Sequence, residues 1–217
     1  MPNDPTPTSP IRDPQVKAVL ARLQAGRKRH ASGGPLGDSN ASRDPFQYAE
    51  YGFSIVPEQG DLIYLLCRGL RTQRVAEFAT SIGMSTISFA AAVPDSGGGK
   101  VIGSELVPAK VATARHNLAD AGLADYAEIR EGDARQTLQD LGGQVDFVLI
   151  DGWPVSRGPS LARQVIEIVA PQIRIGGYVM NDNAEPDFLD FVRNPSSGFL
   201  SVTLPLKGGT ELCVKVA

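Results

Sequence analysis

Between Arg74 and Met180 the chain alternates short apolar runs with helical stretches, and few folds accommodate that alternation. Strand patterns fall at residues 74–78, 100–106, 127–130, 145–150 and 177–180. Helical spacing occupies the intervals: a helix opens after Gly83, another runs from Pro108 through Val111, Ala112, Leu118 and Ala119 to near Gly122, and two more cover 134–141 and 161–169. Strands and helices in strict succession mean right-handed βαβ units, hence a parallel sheet covered on both faces. The ending differs. Strand patterns at 199–206 and 210–216 are separated only by Lys207-Gly208-Gly209, a connection too short for a crossover, so the chain closes on an antiparallel hairpin. The expected fold class is α/β, a mostly parallel seven-stranded sheet with helices on both faces and a C-terminal antiparallel hairpin. That ending is not the arrangement of a dinucleotide dehydrogenase.

The segments before Arg74 read as accessories to this sheet. Five prolines among the first fourteen residues predict a disordered tail over 1–14. Val16, Val19, Leu20 and Leu23 then fall on one helical face, which can fold back on its own domain or pack on a second copy as a homodimer. Residues 15–45 are taken as an N-terminal helix and loop, a lid or dimer element, and 46–217 as the main domain. Phe46, Tyr48, Tyr51 and Phe53 supply a pocket wall or core packing, and Pro57 opens a helix through Leu62, Ile63, Leu65, Leu66 and Leu70. Cys67 and Cys213, far apart within apolar patterns, are expected as reduced core thiols, and His30 and His116 as helix-surface residues.

Net charge restricts the partners. At −3, with a pI near 5.4, the chain has no general attraction for nucleic acid or acidic membranes, and Arg27-Lys28-Arg29 is the lone hint of an RNA contact. No apolar run reaches the length of a membrane span, and the first residues lack a signal-peptide core. The expectation is a cytoplasmic protein, without nucleic acid or membrane.

The stretch from Glu77 to Thr86 carries the chemistry. A strand runs into a turn of small residues, Ala79, Thr80, Ser81 and Gly83, and the turn into a helix beginning near Ser85 and Thr86. Unpaired N–H groups at a helix start and a turn free of bulk let a ligand approach the backbone. The dinucleotide fingerprint G-x-G-x-x-G is absent, because Ala79 and Ser81 stand where its glycines would be. Other polar residues stop the remaining strand patterns: Glu105 the second, Asp133 the third, Asp151 the fourth, Asp182 and Asn183 the fifth. Ligands of open α/β sheets gather outside these carboxyl ends. Asp133 also suits a helix N-cap, and Asp182 with Asn183 also suits a turn.

Taken in order, Glu77-Phe78-Ala79-Thr80-Ser81-Ile82-Gly83-Met84-Ser85-Thr86, Glu105, Glu131-Gly132-Asp133-Ala134, Leu149-Ile150-Asp151-Gly152-Trp153 and Asn181-Asp182-Asn183 resemble the class I S-adenosylmethionine-dependent methyltransferases, within them the cation-dependent O-methyltransferases related to catechol and caffeoyl-CoA O-methyltransferases. The resemblance runs from about Tyr48 to the C-terminus and implies a Rossmann-like class I methyltransferase fold. It implies that S-adenosylmethionine contacts Phe53, Ser54, Ile55, Glu77, Ala79, Thr80, Ser81, Gly83, Ser85, Thr86, Glu105, Leu106, Asp133, Ala134, Asp151 and Trp153. In this reading Glu105 accepts the ribose hydroxyls, Asp133 the adenine amino group, and Phe53 to Ile55 cover the methionine end.

Two carboxylates and an amide oxygen, from Asp151, Asp182 and Asn183, suit a hard cation such as Mg²⁺. In the family such a cation holds two adjacent substrate oxygens, so the implied activity is methylation of a small, aromatic or catechol-like acceptor, with Asp151 as catalytic residue. One departure stands out. The catechol-type enzymes carry a lysine base shortly after the aspartate corresponding to Asp151, whereas here Pro154 follows Trp153 and the nearest lysines in sequence are Lys110 and Lys207. Metal alone, assistance from Tyr48, Tyr51 or Arg157, or a more acidic acceptor would fill that role. A metal-independent enzyme with another acceptor and a non-catalytic S-adenosylmethionine-binding protein are the alternatives.

Overall fold

The computed structural model describes residues 8–26, 42–153, 155 and 157–217. The basic run Arg27-Lys28-Arg29-His30, most of the loop after it, and Pro154 lie outside the described residues. The described chain forms α1 (Pro14–Ala25), α2 (Pro57–Leu70), β1 (Arg74–Phe78), α3 (Met84–Ala92), β2 (Lys100–Glu105), α4 (Pro108–Asp120), β3 (Ala127–Glu131), α5 (Ala134–Thr137), β4 (Val145–Ile150), α6 (Leu161–Val169), β5 (Ile173–Asn181), α7 (Pro186–Val192), β6 (Phe199–Leu204) and β7 (Thr210–Lys215). The strands make one seven-stranded sheet in the order β3-β2-β1-β4-β5-β7-β6. The first five are parallel, and β7 runs antiparallel between β5 and β6, as the short connection at Lys207 requires.

Alternation along each strand sends successive side chains to opposite faces and builds two cores. Val75, Phe147, Leu149 and Met180 point to the face covered by α1 to α4, where the Phe89 and Phe147 rings meet at 5.1 Å. Ala76, Phe78, Val148, Ile150 and Val179 point to the face covered by α5 to α7. Chain direction across the sheet reverses its order between β1 and β4, and the strand-end residues of interest flank that point.

Three expectations need correction, and α1 takes one of the two positions left open to it. The N-terminal segment is ordered closer to its start than composition suggests: Ile11 is 1% exposed within the first core, Ser9 hydrogen-bonds Asp61, and Asp13 caps α1 by accepting from Gln15 and Val16. The apolar face of α1 packs on its own domain, with Val16, Val19 and Leu23 in the core and Arg22 paired to Asp120 at 2.7 Å. Helix α5 stops at Thr137, four residues short of the expected end, because side chains claim the carbonyls a longer helix would use. Arg130 donates to Thr137 and Asp140, Gln172 to Leu138, and Arg74 to Leu141. Strand β5 starts at Ile173 rather than Gly177, with a shift of register between the pairs Val145–Ile173 and Phe147–Tyr178 that residues 174–177 take up.

Cys67 and Cys213 are buried free thiols, and burial pushes the Cys67 thiol up to about 12. His116 is exposed on α4 beside Asp120. Among the described residues, no helix is long and apolar enough to cross a membrane.

Candidate active site

The turn after β1 is built on a buried carboxylate. Glu77 is fully enclosed, and its Oε2 accepts from the Thr80 hydroxyl at 2.9 Å and from that of Thr86. Burial raises its pKa, and the hydroxyls of Ser85, Thr86 and Thr80 oppose that rise. Glu77, Thr80 and Thr86 therefore hold the turn from within, and it is the backbone above them that faces outward. That backbone is left-handed at Ala79 (φ 67°), Ser81 (φ 52°) and Gly83 (φ 89°). Non-glycine residues pay about 1 kcal/mol or more in this region, and strain of this kind collects where chain and ligand meet. Gly83 opens α3, and a Cβ there would stand 3.3 Å from that of Ala114, so α3 and α4 pack closely at this point.

Glu105, ending β2, turns its carboxylate under this turn. Its Oε2 accepts the Ser81 N–H at 2.8 Å and its Oε1 the Val107 N–H at 2.8 Å. Each oxygen keeps a second lone pair, while Ser81 Oγ is buried without a hydrogen-bond partner. Such a set suits a ligand bearing adjacent hydroxyls. Leu106 beside it is exposed. Asp133 ends β3 and caps α5, accepting from the Arg135 N–H at 2.9 Å, and the Arg135 guanidinium beside it lowers its pKa. Ala134 follows, buried.

Three of the four aromatic residues before α2 converge, together with Trp153. Tyr48 lies 5.5 Å from Trp153, Phe53 5.5 Å from Trp153, and Tyr51 stacks on Phe53 at 6.0 Å. Phe46 does not join them, being 52% exposed. The Trp153 indole donates to the Arg43 carbonyl at 2.9 Å. Lys110, buried on α4, places its ammonium 4.9 Å from the Phe53 ring centre. Burial lowers its pKa, and the charges of Glu105 and Asp151 work against that. Ser54 and Ile55 are buried at the edge of this group, with the Ser54 hydroxyl against Met84 Sδ at 3.1 Å.

The strand ends bring Asp151, Asp182 and Asn183 together. Asp151 N–H pairs with Phe78 and Asp182 N–H with Ile150, which places both residues one step past their strands. Burial, and then the charge of Asp182, raises the pKa of Asp151, whereas Lys207 lowers it. Spacing in the chain gave no sign of two further participants. Gln59, fully buried on α2, donates its Nε2 to Asp182 Oδ1 at 2.6 Å, and Lys207, from the β6–β7 connection, pairs with Asp182 Oδ2. So a lysine does reach the site, from the far end of the chain rather than from beside Asp151.

These donors decide whether a divalent cation fits. Both oxygens of Asp182 face N–H groups, and Asn183 turns its Nδ2 toward Asp151 Oδ1 at 3.3 Å. A hard cation would have to share Asp182 with the Lys207 ammonium and would meet the Asn183 amide nitrogen rather than its oxygen. Among the described residues no cluster of carboxylates, histidines or cysteines is arranged to hold a metal ion. The residue types suit Mg²⁺, but their arrangement does not.

A parallel sheet closed by the β5-β7-β6 hairpin, with a strained turn after β1 and an acid ending β2, defines the class I methyltransferase architecture. A family model described as "Methyltransferase domain" matches residues 77–184. Catechol O-methyltransferase of Mycobacterium tuberculosis is 32% identical over 145 residues, 62% of this chain and 63% of that protein, and catechol O-methyltransferase B of Danio rerio is 26% identical over 81% of this chain and 69% of its own. The chain thus spans 63% of the length of the mycobacterial relative. An O-methyltransferase from Bacillus cereus in complex with SAH superposes with a TM-score of 0.66 at 19% identity, covering 94% of this chain and 91% of that one. TomG, an O-methyltransferase from Streptomyces achromogenes in complex with SAM, gives 0.65 at 20% identity over 92% and 90%. Residues 77–184 thus match a methyltransferase domain, and the chain is similar in sequence to catechol O-methyltransferases and in fold to solved O-methyltransferases.

Proposed function

We propose that this protein transfers the methyl group of S-adenosylmethionine to an oxygen of a small, aromatic acceptor. The observation that carries the reading is Glu105: a buried carboxylate beneath the strained 79–83 turn, with a lone pair left on each oxygen and the orphaned Ser81 hydroxyl beside it. Adjacent ribose hydroxyls match that set. Asp133 and Ala134 lie at the next strand end for the adenine, and Ser54 and Ile55 border the methionine end. S-adenosylmethionine, when bound, supplies an electrophilic methyl group. The protein's share is to fix donor and acceptor in line and to keep water out, for which Tyr48, Tyr51, Phe53 and Trp153 form a wall. This reading assigns Asp151, beside Asp182 at the strand ends, to the acceptor side, and the catechol O-methyltransferase relatives support an oxygen acceptor. The divalent cation that the residue types suggest is not part of this reading, because the Lys207 ammonium already sits on Asp182 and Asn183 turns its amide nitrogen, not its oxygen, toward Asp151.

Incubation with methyl-labelled S-adenosylmethionine and a panel of catechols, monophenols and aromatic acids tests the proposal. Labelled ether or ester is the expected product. Tight S-adenosylmethionine binding with no methylated product from any acceptor would favour the reading as a non-catalytic binding protein.

A further inference from the structure

A positive charge from the chain itself, the Lys207 ammonium, sits on Asp182 at the strand ends. Asp182, 1% exposed, is held from two sides, and neither contact can be reversed. Gln59 Oε1 accepts the Val56 N–H at 2.9 Å, which fixes its amide so that Nε2 faces Asp182 Oδ1, with Thr210 Oγ1 as a second acceptor at 2.8 Å. Lys207 comes from the connection between β6 and β7 with φ 50°, a conformation glycine adopts freely and lysine does not. From there its ammonium meets Asp182 Oδ2 and lies 3.5 Å from the Ser54 carbonyl, at the border of the aromatic wall. Asp151 is within its electrostatic reach.

We propose that the Lys207 ammonium occupies the place a divalent cation would take and itself holds the acceptor oxygen, so that acceptor binding needs no metal and no second, adjacent oxygen. An ammonium has three donors. One is spent on Asp182 and one points toward Ser54, leaving the third for a single phenolic or carboxylate oxygen. A divalent ion would chelate both oxygens of a vicinal diol and so select for that pair, whereas a lysine is a point donor and confers no such preference. The acceptor class is therefore an aromatic with one acidic oxygen, a diol being accepted without advantage. This rests on reading the strand ends as a methyl-transfer site.

The test is Mn²⁺ titration by electron spin resonance on S-adenosylmethionine-loaded wild type, Lys207→Gly, Lys207→Arg and the double variant Lys207→Gly/Asp182→Asn. Glycine relieves the backbone at this position, so folding is not the variable. Wild type and Lys207→Arg should leave the free-ion signal undiminished. Lys207→Gly should gain one site at least roughly tenfold tighter than wild type, as expected when a fixed positive charge leaves a pair of carboxylates. The double variant should lose it. One tight site in wild type that Asp151→Ala abolishes, or no gain in Lys207→Gly, would overturn the proposal. Calorimetry on the same samples separates the two readings: wild type that fails to bind S-adenosylmethionine defeats the methyl-transfer reading, while the metal comparison, repeated without it, still decides whether Lys207 fills the cation position.

Discussion

At the scale of single residues, carboxylates in this protein do two opposite things. Asp146 at the start of β4 accepts from the Gln73 and Arg74 N–H groups at 2.8 and 2.9 Å and from Arg174 Nε at 2.6 Å. Burial raises its pKa, but these donors outweigh burial and hold it below the usual 3.8. A depressed folded value stabilises the fold above the unfolded pKa and stops doing so as pH falls through the folded one. Asp146→Asn should therefore cost about 1–3 kcal/mol in urea unfolding at neutral pH, and the difference from wild type should shrink below about pH 4. Glu77 acts in the other direction. Its pKa is raised, so the folded chain takes up its proton first and the contribution of this group to stability falls as pH rises. Asp151 and Asp182 were legible in the sequence because each stops a strand pattern. Gln59 and Lys207 were not, because their convergence on Asp182 depends on how α2 and the hairpin pack, and no local spacing encodes that.

At the scale of elements, the turn after β1 depends on a glycine in the neighbouring strand. A Cβ on Gly103 would stand 2.3 Å from Thr80 Oγ1 and 3.0 Å from Ile129 Cδ1. Gly103→Ala should push the Thr80 hydroxyl off Glu77, destabilise the protein by about 1–3 kcal/mol in denaturant unfolding, and weaken S-adenosylmethionine binding in calorimetry. Unchanged affinity would separate the turn from the cofactor site. The strands, the long helices and the hairpin could be read from apolar periodicity, and α6 matches its expected bounds, Leu161–Val169. Helix α5 and the start of β5 could not. Their limits are set by Arg130, Gln172 and Arg74 capturing carbonyls and by a register shift, all tertiary events.

At the scale of the whole molecule, two cores clamp one sheet and leave its strand ends open at the point of reversed order. Phe147 joins the sheet to α3 through Phe89, with Tyr178 6.2 Å away on the next strand. Phe147→Ala should cost about 3–5 kcal/mol, seen as a lowered melting temperature, with the strand-end residues unaltered in identity but no longer held in register. The fold exists to bring residues from β1, β2, β4 and β5 to one place, and the account stands on what binds there. The most direct measurement is calorimetric titration of S-adenosylmethionine into wild type and Glu105→Gln. The account predicts one site in wild type and an affinity lower by roughly ten- to a hundredfold in the variant, the worth of a charged acceptor facing two hydroxyls. No binding by wild type, or equal binding by both proteins, would contradict it.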